Sequence, residues 1–156
     1  LSDMVSAEQI VLRMLPELAK EAQHPEIKSA FQDHEKETRE QIKRLEAAFK
    51  ELGEQPEKTT CFGTEGLKKE HEALHKEKPS AEVLEMGNIL GAAKTEHYEI
   101  ASYTGLAQLA RVLGETAVAA LLKANPAEEE AMAKKLTAFA KELGKEAKQA
   151  GKTAAK

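Results

Sequence analysis

The eight residues Glu96-His97-Tyr98-Glu99-Ile100-Ala101-Ser102-Tyr103 decide how this chain is read, because they put acids where a helix should be apolar. Advancing about 100° per residue along a helix, Ile89, Ala92, Ala93, Ile100, Ala107 and Ala110 form one stripe. Glu96 sits at the centre of that stripe, Glu99 about 60° to one side, and Tyr103 almost in line with Glu96. A carboxylate in the middle of a core-facing stripe is costly to bury and calls for a partner.

The same pattern returns on three other segments. Met4, Val5, Val11, Leu12, Leu15 and Ala19 surround Glu8 in the first. Ile27, Ala30, Phe31, Leu45, Phe49 and Leu52 surround His34 in the second, with Glu37 about 60° off. Val118, Leu122, Met132, Leu136, Ala140 and Leu143 surround Glu129 in the last, while Glu128 and Glu130 turn toward the rims. Lys and Arg are absent from these stripe centres, so salt bridging offers little relief.

The segments themselves read as helices, and their breaks are local. Ser2 or Asp3 caps a first helix to about Ala22, with Pro16 inside it as an expected kink. His24-Pro25 breaks the pattern, and a second helix runs from Glu26 to Leu52 and stops at Gly53. Residues Glu54 to Gly63 read as loop, and a short charged helix spans about Thr64 to Glu77. Pro79-Ser80 opens a long helix reaching Leu113, and Gly114 ends it. A final helix begins near Glu115, and the continuous apolar phase favours one helix kinked at Asn125-Pro126. The division expected is a helical bundle over residues 1–143 and a charged, fraying tail over 144–156.

Depth brings the acids to one level. Glu96 and Glu99 precede Gly114 by 18 and 15 residues, and Glu129 follows it by 15. With about 1.5 Å of rise per residue, these meet across an antiparallel pair. Glu8 and the His34/Glu37 pair straddle the His24-Pro25 turn at looser but comparable distances. The connection between the second and third long helices is too long for a hairpin. It predicts an all-α, ferritin-like four-helix bundle whose long crossover carries a short extra helix.

Composition agrees. Of 156 residues, 41% are hydrophobic, 32% charged and only 4% aromatic, the signature of a helical domain rather than a β fold. A formal net charge of −4 argues against sequence-independent nucleic-acid binding, which needs a cationic face. The chain lacks an apolar run long enough to span a membrane and a signal-peptide pattern at its start. One cysteine, Cys61, forms no internal disulfide, and the expectation is a cytoplasmic protein with no membrane partner.

Five carboxylates and an imidazole in one interior are best satisfied by cations, and carboxylate plus imidazole suits iron or manganese. The ligand set Glu8, His34, Glu37, Glu96, Glu99 and Glu129 exceeds what one ion needs, so two divalent metal ions are expected, iron before manganese. Tyr103 is read as a core tyrosine bonded to one of these carboxylates, the side chain placed to assist catalysis beside the metals. The alternative is a metal-free structural or interaction bundle acting as a dimer, its acids protonated or bridged by water.

The residues also carry a family resemblance. Leu1-Ser2-Asp3 with Ser6-Ala7-Glu8-Gln9, His34-x-x-Glu37-Thr38 with Gln41-Ile42, and the Glu96–Tyr103 run resemble the YciF/YciE-type bacterial stress proteins. Cys61 with Glu65-Gly66-Leu67, and Glu128-Glu129-Glu130, fit the same pattern, so the resemblance covers about Leu1 to Ala140. It implies a ferritin-like, rubrerythrin-related fold, a di-metal centre, a homodimer and a stress-linked role with no established reaction, an oxidase or peroxidase among the possibilities. No cage assembly is expected. The chain departs from the pattern at Ala133, where relatives carry an acid, and in having His-x-x-Glu rather than Glu-x-x-His on its second helix.

Other signals rank lower. His71-Glu72-Ala73-Leu74-His75 matches the zinc-protease string with both imidazoles on one helical face. It lies on a short charged helix, so a solvated surface is the favoured reading, ahead of adventitious zinc or nickel binding and well ahead of a protease. His97 points about 100° away from its stripe and reads as a surface or interface residue. Val83, Leu84 and Leu109 lie outside the stripes and are candidates for the dimer interface.

Overall fold

A computed structural model describes the backbone of residues 1–154 and the side chains of residues 1–149. Among the described residues the chain is helical without strands: α1 (Ser2–Glu21), α2 (Pro25–Leu52), α3 (Phe62–Lys76), α4 (Ala81–Val112), α5 (Thr116–Leu122) and α6 (Ala124–Ala154).

Start and stop signals explain most boundaries. Pro25 opens α2, where its missing N–H costs nothing. Gly53 closes α2 at a φ of 70°, letting the Gly53 and Glu54 N–H groups turn back onto the Lys50 and Phe49 carbonyls. Ser80 caps α4 by accepting from the Val83 N–H at 3.4 Å. Ser2 and Asp3 do not cap α1 as expected; they lie inside it, after Leu1. Their side chains instead reach other segments: Ser2 Oγ accepts from the Glu57 N–H of the crossover at 3.0 Å, and Asp3 accepts from the Tyr98 hydroxyl of α4 at 3.3 Å.

The last segment differs from the expectation of a single kinked helix. It breaks at Lys123 into α5 and α6, and Pro126 lies in the first turn of α6. Proline has no N–H to give the carbonyl four residues earlier, and its ring crowds that group, which here belongs to Leu122. Downstream, α6 continues through Gly144 to Ala154, where the sequence suggested a fraying tail; the last two residues of that tail lie outside the described residues.

Two apolar layers give the topology. At one end Met4 and Ala7 of α1 meet Leu45 and Ala48 of α2, Tyr103 and Ala107 of α4, and Val118 and Leu122 of α5. At the other end Val11 and Leu15 of α1 meet Ile27 and Phe31 of α2, Ile89 and Ala92 of α4, and Met132 and Leu136 of α6. Hence α2 and α4 run in the same direction while α1 and α6 oppose them, and the chain must travel the length of the bundle between α2 and α4. The α3 crossover does so, packed against α4 and α1. Gly63 and Gly87 make that contact close: a Cβ on Gly63 would fall 2.5 Å from the Tyr98 ring, and one on Gly87 2.2 Å from Leu74. No helix among the described residues is long and apolar enough to cross a membrane.

Candidate metal centre

Between the two apolar layers lies a buried polar one. Glu8 of α1, His34 of α2, Glu96 and Glu99 of α4 and Glu129 of α6 are each at most 2% exposed. Each stands at the centre or shoulder of its helix's core-facing stripe, so burying the flanking Leu, Ile, Phe and Ala side chains carries the acid inward with them.

His34 is the hub. Its Nδ1 lies 3.0 Å from Glu37 Oε2, and its Nε2 lies 3.3 Å from Glu96 Oε1 and 3.4 Å from Glu129 Oε2. The latter two contacts lack hydrogen-bond geometry. His34, Glu96 and Glu129 each offer a ligand atom within 4.8 Å of the others. Tyr103, fully buried, donates its hydroxyl to Glu8 Oε1. Glu99 is fully buried near Glu8, Glu96 and Glu129, whose charges act on it. Glu37 is the outlier: it touches His34 but sits at the rim, with its side chain 37% exposed.

The electrostatics are those of too many acids for one base. Burial pushes the Glu8 carboxyl up to about 7, even against the Tyr103 hydrogen bond and the charge of His34. Burial and the charge of Glu96 push Glu129 up to about 10. Glu99 is raised well above the carboxylate range, by burial first and then by the charges of Glu8, Glu129 and Glu96. Burial alone would lower His34, but the surrounding carboxylates of Glu37, Glu96 and Glu129 win and hold it well above its ordinary value. Glu37 is lowered, chiefly by its bond to His34.

The layer is also underbonded. Glu8 Oε2, Glu96 Oε2 and both carboxylate oxygens of Glu99 and Glu129 are buried with no hydrogen-bond partner in the protein. Buried carboxylate oxygens left this way are costly unless protonated or coordinated. Hard oxygen donors around one imidazole are the donor set that iron and manganese prefer, so the residues fit such ions.

Sequence reasoning missed a polar collar around this layer. Thr38, Gln41 and Asn125 are fully buried beside it. Arg44 donates to Asn125 Oδ1 at 2.5 Å and pairs with Glu128, which also accepts from Gln41 Nε2 at 3.1 Å. Arg44 therefore brings a guanidinium close to the layer: it pairs with rim Glu128, and its charge, after that of His34, also favours the ionised form of Glu8. Their i, i+3 spacing (Thr38, Gln41) put them on the His34 face, but short polar side chains carry little signal in a stripe. Ala133, one turn beyond Glu129 on α6, is buried and lines a hollow with His97 and Ile100. His97 itself is exposed, as expected.

A cavity of about 260 Å³ between α1, α3 and α4 leads to this layer. Val11, Leu15, Leu18, Leu67 and Leu74 give it apolar walls, buried Glu96 lines it inside, and Glu70 and Lys94 stand where it meets the surface. The His71/His75 string lies on the α3 face toward α1, where Glu21 joins it.

Comparison with known proteins agrees with this architecture. The chain is 38% identical over 138 residues to Protein YciF of Escherichia coli (strain K12), covering 88% of this chain and 83% of that protein. The crystal structure of the E. coli stress protein YciF superposes with a TM-score of 0.87 at 36% identity, covering 92% of this chain and 91% of that one. YcfI from Rhodopseudomonas palustris superposes at 0.82 with 34% identity, covering 86% and 85%. Residues 1–149 match the family described as a domain of unknown function, DUF892. With the family match, the sequence identity and the shared fold in agreement, this chain belongs to the DUF892 family.

Proposed function

We propose that the buried acidic layer holds two divalent metal ions, iron in preference to manganese, and that the protein handles oxidants or iron under stress. The observation that carries this reading is the ring of unpartnered buried carboxylate oxygens on Glu8, Glu96, Glu99 and Glu129 facing one imidazole. Glu8, His34, Glu37, Glu96, Glu99 and Glu129 are the ligands in this reading, and Ala133 leaves α6 with one acid where a second would serve. A pair of redox-active ions in such a cradle supplies electrons for reducing dioxygen or peroxide.

The chain's own groups support that chemistry. Tyr103 fixes one oxygen of Glu8 and leaves the other free to coordinate. The apolar walls of the α1–α3–α4 cavity admit a small uncharged molecule to Glu96 while disfavouring anions. The stress role rests on likeness to the E. coli stress protein YciF. A homodimer belongs to the same proposal, with Val83 and Leu109 more than half exposed and Leu84 half-buried outside the core.

The test is elemental analysis of untagged protein after loading with ferrous or manganous ion, beside the Glu8→Ala and Glu129→Ala variants. About two ions per parent chain, fewer in each variant, and a melting temperature that falls on chelation are expected. Parent and variants binding equal amounts of metal would show that the ligand assignment is wrong; no bound ion and no melting shift would leave the metal-free dimeric bundle as the answer.

A further inference from the structure

We infer that Glu21, His71 and His75 form a second, surface site for a single divalent cation of the zinc, nickel or cobalt class, clipping the crossover helix α3 to the end of α1. The site is separate from the buried layer and does not depend on it.

The string His71-Glu72-Ala73-Leu74-His75 places two imidazoles one turn apart on one face of α3. Their ring centroids are 4.6 Å apart at an interplanar angle of 64°, edge to face rather than stacked. Two rings so arranged can direct nitrogens toward a common point. The third donor comes from another helix: Glu21, the last residue of α1, puts Oε1 2.9 Å from His75 Nε2. One ligand atom from each residue lies within 4.8 Å of the others, a span that small movements of half-exposed side chains close around an ion.

Glu21 is held for this role from behind. Its other oxygen, Oε2, accepts from Asn88 Nδ2 at 2.7 Å, and Asn88 is 3% exposed in α4. A carboxylate oriented by a buried amide, with its remaining oxygen turned to an imidazole, is the arrangement that outer partners give metal ligands. Two imidazoles and one carboxylate make a borderline donor set, which suits zinc, nickel and cobalt better than magnesium or calcium. Three protein ligands leave a fourth position for water. The surrounding depression is lined by Glu17 and Glu72 as well as Lys20 and Lys76, so no net field repels a cation.

A plain Glu21–His75 ion pair beside a bystander His71 is the competing account, and zinc separates the two. The full chain is titrated with zinc alone, following the ring nitrogens of its histidines by NMR and zinc bound by equilibrium dialysis. Expected are shifts at both His71 and His75, and one fewer zinc per chain in the His71→Gln/His75→Gln double variant. Glu21→Gln should weaken this zinc at least about tenfold, since losing even an outer partner of a metal ligand costs that much. Glu129→Ala, which acts on the buried layer, should leave the His71 and His75 shifts intact. Ring signals of the parent protein that do not move with zinc would overturn the site. So would a double variant that binds the same zinc with the same affinity, or a Glu21→Gln variant that loses thermal stability while its zinc affinity stays put.

Discussion

Glu85 ties off the turn between α1 and α2 through His24. Glu85 Oε2 lies 2.7 Å from His24 Nδ1, and Oε1 accepts the backbone N–H groups of Gln23 at 2.7 Å and His24 at 3.1 Å. Glu85 is 3% exposed on α4, so a carboxylate from a distant helix satisfies donors at the start of α2. Its hydrogen bond, with help from the charges of Glu85, Glu146 and Glu26, raises the His24 pKa above 6.5 despite partial burial.

Because His24 is raised, the stability it contributes is fully present below pH 6.5 and is lost as pH climbs through its folded value. Glu85→Gln should cost about 1–3 kcal/mol through weaker hydrogen bonds to a charged acceptor. The penalty should be largest in mild acid and shrink above neutrality. Thermal melts across pH, with the His24 titration followed by NMR, check both parts. An unmoved His24 midpoint in the variant would show that the pair is not coupled.

Protonation of the buried layer gives a second pH signature. In chelated protein, Glu8 and Glu129 have pKa values raised from 4.5 to about 7 and about 10. Groups raised on folding stabilise below their unfolded value and lose that contribution as pH rises through the folded one. Chelated protein should therefore be most stable near pH 5 and lose melting temperature steadily toward pH 9. In a domain of this size each kcal/mol lost is about 2–4 °C. Iron or manganese competes with those protons, so metal affinity should rise over the same interval, with protons released on binding. A flat melting temperature between pH 5 and 9 would mean the acids are not neutralised by protons.

Tyr103→Phe tests how Glu8 is held. Tyr103 is fully buried and gives its hydroxyl to Glu8, which favours the ionised carboxylate. Removing the hydroxyl should destabilise the fold by about 1 kcal/mol. It should also move the pH midpoint for metal uptake upward, since Glu8 then keeps its proton longer. Equal midpoints in parent and variant would remove Tyr103 from any role at the centre.

Gly63→Ala probes the seat of the crossover. The added methyl would lie 2.5 Å from Tyr98 Cε2 and 2.8 Å from Cζ, too close for a ring wedged between helices. Tyr98 would have to leave Cys61, whose Sγ is 3.1 Å from its hydroxyl. A loss of about 1–3 kcal/mol is expected, as for other overpacked contacts. Gly66→Ala, on the same helix with open space around it, should be neutral or slightly stabilising, and denaturant melts of the two variants make the comparison.

What the sequence makes legible follows from period and distance. Glu8, His34, Glu96 and Glu129 are visible because a 3.6-residue stripe names its own centre, and all four are buried. Glu37 and Glu99 sit at the same angular offset, yet Glu37 is 37% exposed and Glu99 fully buried. The difference is that α4 has α3 on one flank and α6 on another, whereas α2 has no crossover helix laid along it. A stripe angle cannot know how many neighbours a helix has. Pairings between distant segments, such as Arg44 with Asn125, Glu85 with His24 and Glu21 with His75, leave no local trace at all. The break at Lys123 escapes because an unbroken apolar phase across Pro126 reads as one rod, while the lost backbone bond divides it.

The acidic layer sits between two hydrophobic clusters that share no residue, and this bears on how the molecule comes apart. Between the two lobes lie more acids than the one imidazole of His34 can balance, so the excess must be quenched by protons or cations. Stripped of cations at alkaline pH, the molecule should loosen at its waist before its ends. Amide hydrogens near His34, Glu99 and Glu129 should then exchange faster than those near Leu45 or Ile27, inverting the usual order in which a helical bundle frays.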